Sequence, residues 1–206
     1  MKHRRLGIGT IVLSLSCASV PQADAPNLRD GDIIFHSSRS SQSEALRRAL
    51  DSPYTHMGVI FLEGDRPFVY EAVGPVKMTP LDEWTRRGVD GGYVVKRLID
   101  ADRLLTPEAV KRLREAGEQY RGRPYDLYFE WSAERIYCSE LVWKMFDEAV
   151  GVSIGQLQQF RDFDLSDPLV MDKLQERFGD TVPLGETVIS PASMFASDSL
   201  ITVDER

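Results

Sequence analysis

Apolar positions recur along this chain with two alternating rhythms, and each stretch of rhythm predicts an element. Gly31-Asp32 followed by Ile33-Ile34-Phe35 reads as a turn and a short strand. Ser41-Gln42-Ser43-Glu44 has the S-x-x-E form of a capping box, and Ala45, Leu46, Ala49 and Leu50 then share one helical face until Ser52-Pro53 ends it. Met57 to Leu62 is almost continuously apolar, as a strand buried on both faces would be. Glu63-Gly64-Asp65-Arg66 predicts a turn, Phe68 to Val73 a returning strand, and Gly74-Pro75 a break. A helical turn is expected at 80–84, and Gly91-Gly92 leads into a strand at 93–98.

The second half turns helical. Thr106-Pro107-Glu108 combines an N-cap, a proline at the first helical position and an early acid, and Val110, Leu113, Gly117 and Tyr120 continue at helical spacing up to Gly122. An aromatic loop from Tyr125 to Trp131 precedes a helix from Cys138 to Val150, with Leu141, Val142, Met145, Phe146 and Ala149 inward and Gly151 closing it. Ser166-Asp167-Pro168 opens a third helix ending at Phe178-Gly179, and Val188-Ile189 suggests a last short strand before Ser190-Pro191.

The first residues follow another rule. Lys2, Arg4 and Arg5 precede an apolar run from Leu6 to Leu15, which is the pattern of a signal peptide and is short for a membrane span. Residues 1–25 are therefore expected to be a signal, with residues 26–206 as one domain. Leu13-Ser14-Leu15-Ser16-Cys17 resembles a lipobox apart from Ser14, and Ala23-Asp24-Ala25 resembles an ordinary cleavage site apart from the following Pro26. The balance favours a lipoprotein anchored through Cys17, and either route takes the protein out of the cytoplasm to the periplasm or a membrane-anchored state.

Charge and cysteine usage narrow the function. The chain carries a net charge of −7 and loses three cations with the signal, so nucleic acid is a poor partner. Of two cysteines, Cys17 belongs to the signal region, and Cys138 is then a lone thiol at the start of a helix. Unpaired N–H groups and the positive end of the helix dipole favour a thiolate there. A structural cysteine would instead sit in the apolar stripe. The chain has three histidines, His3, His36 and His56, and His56 stands at the entrance to the buried strand, where it can serve as the base. Glu71, on the returning strand among apolar neighbours, is the candidate orienting acid. Two hairpin registers are open, one pairing 62 with 65 and one pairing 62 with 67. Both keep His56 and Glu71 on one face, directly opposite in the first and diagonal in the second.

Gly31-Asp32-Ile33-Ile34-Phe35, Tyr54-Thr55-His56-Met57-Gly58, Tyr70-Glu71-Ala72-Val73-Gly74-Pro75-Val76 and Tyr137-Cys138-Ser139-Glu140-Leu141-Val142 occur in an order that resembles the circularly permuted papain-fold amidases of the NlpC type, and more closely their YiiX-like branch, from about Leu28 to Ile201. The resemblance implies an α+β fold with a small antiparallel sheet packed against helices. It implies Cys138 as nucleophile, His56 as base and Glu71 as third catalytic residue, in the His–acid–Cys order of the permuted form. Thr55 replaces the usual Ser, and His36 stands where Gln is usual. His36, Tyr54, Tyr125 and Tyr137 are the candidate substrate-binding residues.

The expected function is an envelope cysteine amidase or peptidase that needs no cofactor. Its substrate would be a small peptide, an amino-acid amide or an acyl compound, with peptidoglycan stem peptides as one source. The resemblance leaves acyl transfer or lipid hydrolysis as the alternative, with Phe129, Trp131 and Phe160 available to hold a chain, although these aromatics read first as core. A metal-binding role for Cys138, His56, Glu71 and His36 is a weaker reading, for want of ligand spacing. Arg47-Arg48 and Arg86-Arg87 read as solvated faces.

Overall fold

The computed structural model describes residues 27–132 and 134–206, so the expected signal and Cys17 lie outside the described residues. The order along the chain is β1 (Ile33–His36), α1 (Ser41–Leu50), β2 (His56–Glu63), β3 (Arg66–Ala72), β4 (Val76–Pro80), α2 (Leu81–Thr85), β5 (Val94–Leu98), α3 (Ala101–Leu104), α4 (Pro107–Glu118), α5 (Cys138–Val150), β6 (Gln158–Gln159), α6 (Pro168–Phe178), β7 (Thr187–Val188), α7 (Pro191–Phe195) and β8 (Leu200–Glu205).

Six strands form an antiparallel sheet in the order β4-β3-β2-β1-β5-β8, which makes it larger than the sequence led us to expect. β2 and β3 pair Leu62 with Pro67 and Glu63 with Arg66, so the second of the two hairpin registers is the one adopted. The loop itself is only Gly64-Asp65, with Gly64 at φ +62°, a conformation that glycine adopts without penalty.

Alternation along the strands sorts side chains onto two faces. Ile33, Phe35, Met57, Val59, Phe61, Tyr70 and Ala72 face the main core, which α4 and α5 cover with Leu113, Leu141, Val142, Met145 and Phe146. Ile34, Ile60 and Val69 face the other way and are covered by Trp84 of α2, with Tyr93 and Val95. β2 is thus buried on both faces, as its unbroken apolar run predicts.

Several expectations shift. The cap of α1 is Ser40, whose side chain accepts the N–H of Ser43, rather than Ser41. α4 ends at Glu118, before Gly122, and buries Ala109, Leu113, Ala116 and Gly117, leaving Val110 and Tyr120 half-buried. β4 and β8 are edge strands that the pattern did not predict: β4 follows directly on Gly74-Pro75, and β8 exposes most of its residues. The strand expected at 188–189 is β7, which pairs with β6 outside the main sheet.

Candidate active site

His56 and Glu71 lie diagonally on the α2 face of the β2–β3 hairpin. His56 Nε2 is 2.6 Å from Glu71 Oε2, inside hydrogen-bonding range. Glu71 is fully buried, and its oxygens also accept from Thr79 Oγ1 at 2.6 Å, from the indole N–H of Trp84 at 2.9 Å, and from the guanidinium of Arg87. Burial alone would push this carboxyl upward. The hydrogen bond and charge of His56, with Thr79 and Arg87, outweigh it and hold Glu71 down at about 2. Arg87 is therefore no simple solvated residue, contrary to its sequence pattern: its side chain reaches in to pair with a buried acid. Thr79, Trp84 and Arg87 are also the residues that sequence reasoning missed, because β4 and the α2 turn carry them to Glu71 only through the fold.

Cys138 reaches the same point from the opposite layer. It is the first residue of α5, follows the extended N-cap Tyr137, and belongs to the main core on the far side of the sheet from His56. The two meet at the N-terminal end of β2, where the Cys138 thiol is in side-chain contact with His56 and with the backbone N–H of Met57. Burial raises the thiol, and the His56 hydrogen bond and charge, the Met57 N–H and the Tyr125 hydroxyl more than reverse that, so Cys138 lies below the ordinary thiol value. Burial likewise pulls His56 down, but Cys138 and Glu71 raise it to about 9. With Nε2 committed to Glu71, Nδ1 is the nitrogen left for Cys138. The opposed shifts each favour the charged form, thiolate on Cys138 and imidazolium on His56.

The four substrate-binding candidates separate. The Tyr125 hydroxyl hydrogen-bonds with Cys138, and burial with that thiolate raises it well above the ordinary phenol value, so it stays a proton donor. His36 pairs with His56 across β1 and β2, stacks on Trp84 with ring centroids 4.0 Å apart, and has no partner for either ring nitrogen among the described residues. Burial, then the positive His56 and Arg87, lower it to about 3, so it is neutral. Tyr137 is buried, and its hydroxyl accepts the N–H of Ile189. Tyr54 stacks on Phe195 at 4.0 Å and lines neither cleft described next.

Two clefts adjoin at the site. One, of about 810 Å³ including its mouth, is bordered by Cys138, Ser139, α1, α6 and the aromatic loop. The other, of about 950 Å³, is bordered by His36, His56, Arg87 and the serines at 38, 40 and 43. Tyr125, Thr55, Leu46 and Gln42 border both.

A sheet-borne histidine and buried acid, met by a thiol at the N-terminus of a later helix, define the permuted papain-like class of protein. The chain belongs to the permuted papain-like amidase family YaeF/YiiX (C92), which it matches over residues 27–204. It is 43% identical over 203 residues to the uncharacterized protein YiiX of Escherichia coli strain K12, covering 98% of this chain and 96% of that one. The crystal structure of metalloprotein YiiX from Escherichia coli O157:H7 superimposes with a TM-score of 0.82 at 46% identity, covering 86% of this chain and 97% of that one.

Proposed function

We propose that the protein is a cysteine amidase of the bacterial envelope, with Cys138 as nucleophile, His56 as general acid–base and Glu71 as the residue that orients and charges His56. The observation that carries this reading is geometric: Cys138, the first residue of α5, meets a His56 whose Nε2 lies 2.6 Å from the fully buried Glu71 carboxylate.

The Cys138 thiolate attacks the amide carbonyl carbon and forms an S–C bond. The backbone N–H of Cys138, free at the start of α5, and the Tyr125 hydroxyl are the donors available to the developing oxyanion. The C–N bond breaks as the His56 imidazolium gives its proton to the leaving amine. Water, deprotonated by His56, then attacks the thioester, releasing a carboxylate and restoring the ion pair. An alternative acceptor in place of water would make the same intermediate an acyl donor.

A relative is described as a metalloprotein. Among the described residues no group of three or more His, Cys, Asp or Glu side chains is placed to share an ion, and both the Nε2 of His56 and the oxygens of Glu71 are already occupied by protein partners. These residues do not fit a metal, and no step is routed through one.

The charged start and apolar run of residues 1–15 support export, with a lipid anchor at Cys17 as the proposed tether. The test of the catalytic reading is the rate of iodoacetamide alkylation against pH, for wild type and His56→Ala. A rate that stays fast well below the free-thiol value of ~8.5, and collapses in the variant, is the expected result. A slow thiol that titrates normally in both proteins refutes it.

A further inference from the structure

The segment Tyr137-Cys138-Ser139-Glu140 ends in an acid that the triad does not use. Glu140 is the third residue of α5 and is fully buried. Its Oε1 accepts from Lys144 Nζ at 2.6 Å, one turn further along the same helix. Its Oε2 accepts the backbone N–H of Tyr137 at 3.4 Å, which ties the acid to the residue just before the nucleophile. A carboxylate is costly to bury, so it depends heavily on the one cation beside it.

Lys144 carries the contact outward. Its ammonium also donates to the carbonyl of Ser132 at 2.9 Å and lies 4.9 Å from the ring centroid of Trp131. Ser132 and Trp131 belong to the connection between α4 and α5, and both ends of that connection reach the nucleophile. Tyr125, whose hydroxyl hydrogen-bonds with Cys138, pairs with Ile136, which precedes the N-cap of α5. Between them the buried Asp126 accepts the N–H groups of Tyr128 and Glu130, and Phe129 adopts φ +56°, a conformation costly for a bulky residue. A segment under backbone strain, carrying a donor for the oxyanion, is thus fastened to the nucleophile's own helix by the Glu140–Lys144 pair.

Resting on the amidase reading, we propose that Glu140 is a positioning residue: its carboxylate, through Lys144, clasps the 125–137 segment onto α5 and so holds the Tyr125 hydroxyl beside Cys138. The charge is what the clasp depends on. A protonated Glu140 gives up the ion pair and leaves a largely buried ammonium without a counter-charge. Burial pushes this carboxyl up to about 7, against the pull of Lys144 and the Tyr137 N–H. The clasp therefore closes as pH rises through neutrality. The groups that face Glu140 are Lys144 on α5, Tyr137 at its N-cap, Tyr120 beyond the end of α4, and Asp126, with Arg135 Nε 3.8 Å from Asp126 Oδ1. Asp126 opposes ionisation and Lys144 favours it.

The experiment uses p-nitrophenyl acetate, whose carbonyl carbon the Cys138 thiolate attacks to form the thioester as nitrophenolate leaves. Acetylation rates are measured from well below to well above pH 7 for wild type and Glu140→Gln, with the variant checked for a native melting curve. Glutamine keeps the shape and removes the charge, so it stands for the protonated state at every pH. The ratio of wild-type to variant rates cancels the titration of Cys138 and His56. It should stay near unity on the acid side and rise at least ~10-fold on the alkaline side, with a midpoint near 7. A ratio that does not change with pH makes Glu140 merely structural and overturns the proposal, while the amidase reading stands. If Glu140→Gln does not fold, Lys144→Met replaces it: removing the cation should hold the rate at its acid-side level beyond neutrality, and a step left near 7 overturns the clasp. If wild type is not acetylated at any pH and its thiol alkylates slowly, the amidase reading fails. The clasp is then judged by tryptophan emission, to which Trp131 beside Lys144 contributes: a transition near 7 in wild type that Glu140→Gln lacks upholds it, and identical titrations overturn it.

Discussion

A Cβ built on Gly58 would stand 3.3 Å from the Cβ of Glu71, and the bare backbone at that position is what lets the acid cross diagonally to His56. The same Cβ would lie 2.5 Å from Val69 Cγ1 and 2.7 Å from the carbonyl oxygen of Tyr70, neither of which can move without disturbing the β2–β3 ladder. The glycine two residues after His56 is thus part of how the histidine gets its partner.

Gly58→Ala should therefore cost about 1–3 kcal/mol of stability by overpacking and slow Cys138 alkylation near neutral pH by separating His56 from Glu71. Thermal melts and alkylation rates on the one variant check both effects. A variant as stable and as reactive as wild type would show that the hairpin has room the structure denies.

Glu71→Gln keeps the shape of the acid and removes its charge. His56 should fall from about 9 toward its ordinary 6.5, and amide turnover should drop by about 100-fold. NMR titration of the imidazole and steady-state rates read the two effects. The sign of the pH effect on stability follows from Glu71 being held near 2 against an ordinary 4.5. Its contribution is complete above the unfolded value and is lost as pH falls from 4.5 through 2. Urea midpoints of wild type should decline across that window, and those of Glu71→Gln should decline less.

Tyr125→Phe removes only a hydroxyl beside the thiol. As a donor to the oxyanion it should act in the transition state, so kcat should fall at least ~10-fold with KM little changed. A rise in KM at constant kcat would instead make Tyr125 a ground-state binding residue.

Much of this was legible in one dimension, for reasons that are local. The start of α5 at Cys138 follows from the apolar stripe behind it and from Gly151 beyond it, which takes the left-handed C-cap at φ +66°. The shared face of His56 and Glu71 follows from strand alternation around a short turn, since both admissible registers differ by an even step. Two histidines and one thiol outside the signal region left few other pairings. The boundary of α1 was misplaced by one residue because Ser40 and Ser41 are equally good caps on paper, and only the backbone decides which of them turns its hydroxyl to Ser43.

What the sequence determined by itself is whatever depends on neighbours within a few positions: the periodicities, most of the caps, the turn, and the candidates for nucleophile and base. The tertiary structure alone decided what depends on residues far apart meeting. It brought Thr79, Trp84 and Arg87 around Glu71 and fixed that carboxylate as an anion despite its burial. It placed His36 against Trp84 as a neutral ring. It also left α1 and α6 with an open slot between apolar faces that periodicity reads as core. Periodicity records that a face is apolar. Whether that face meets another side chain or an open cleft depends on how two helices are set against each other, and no local pattern encodes that separation.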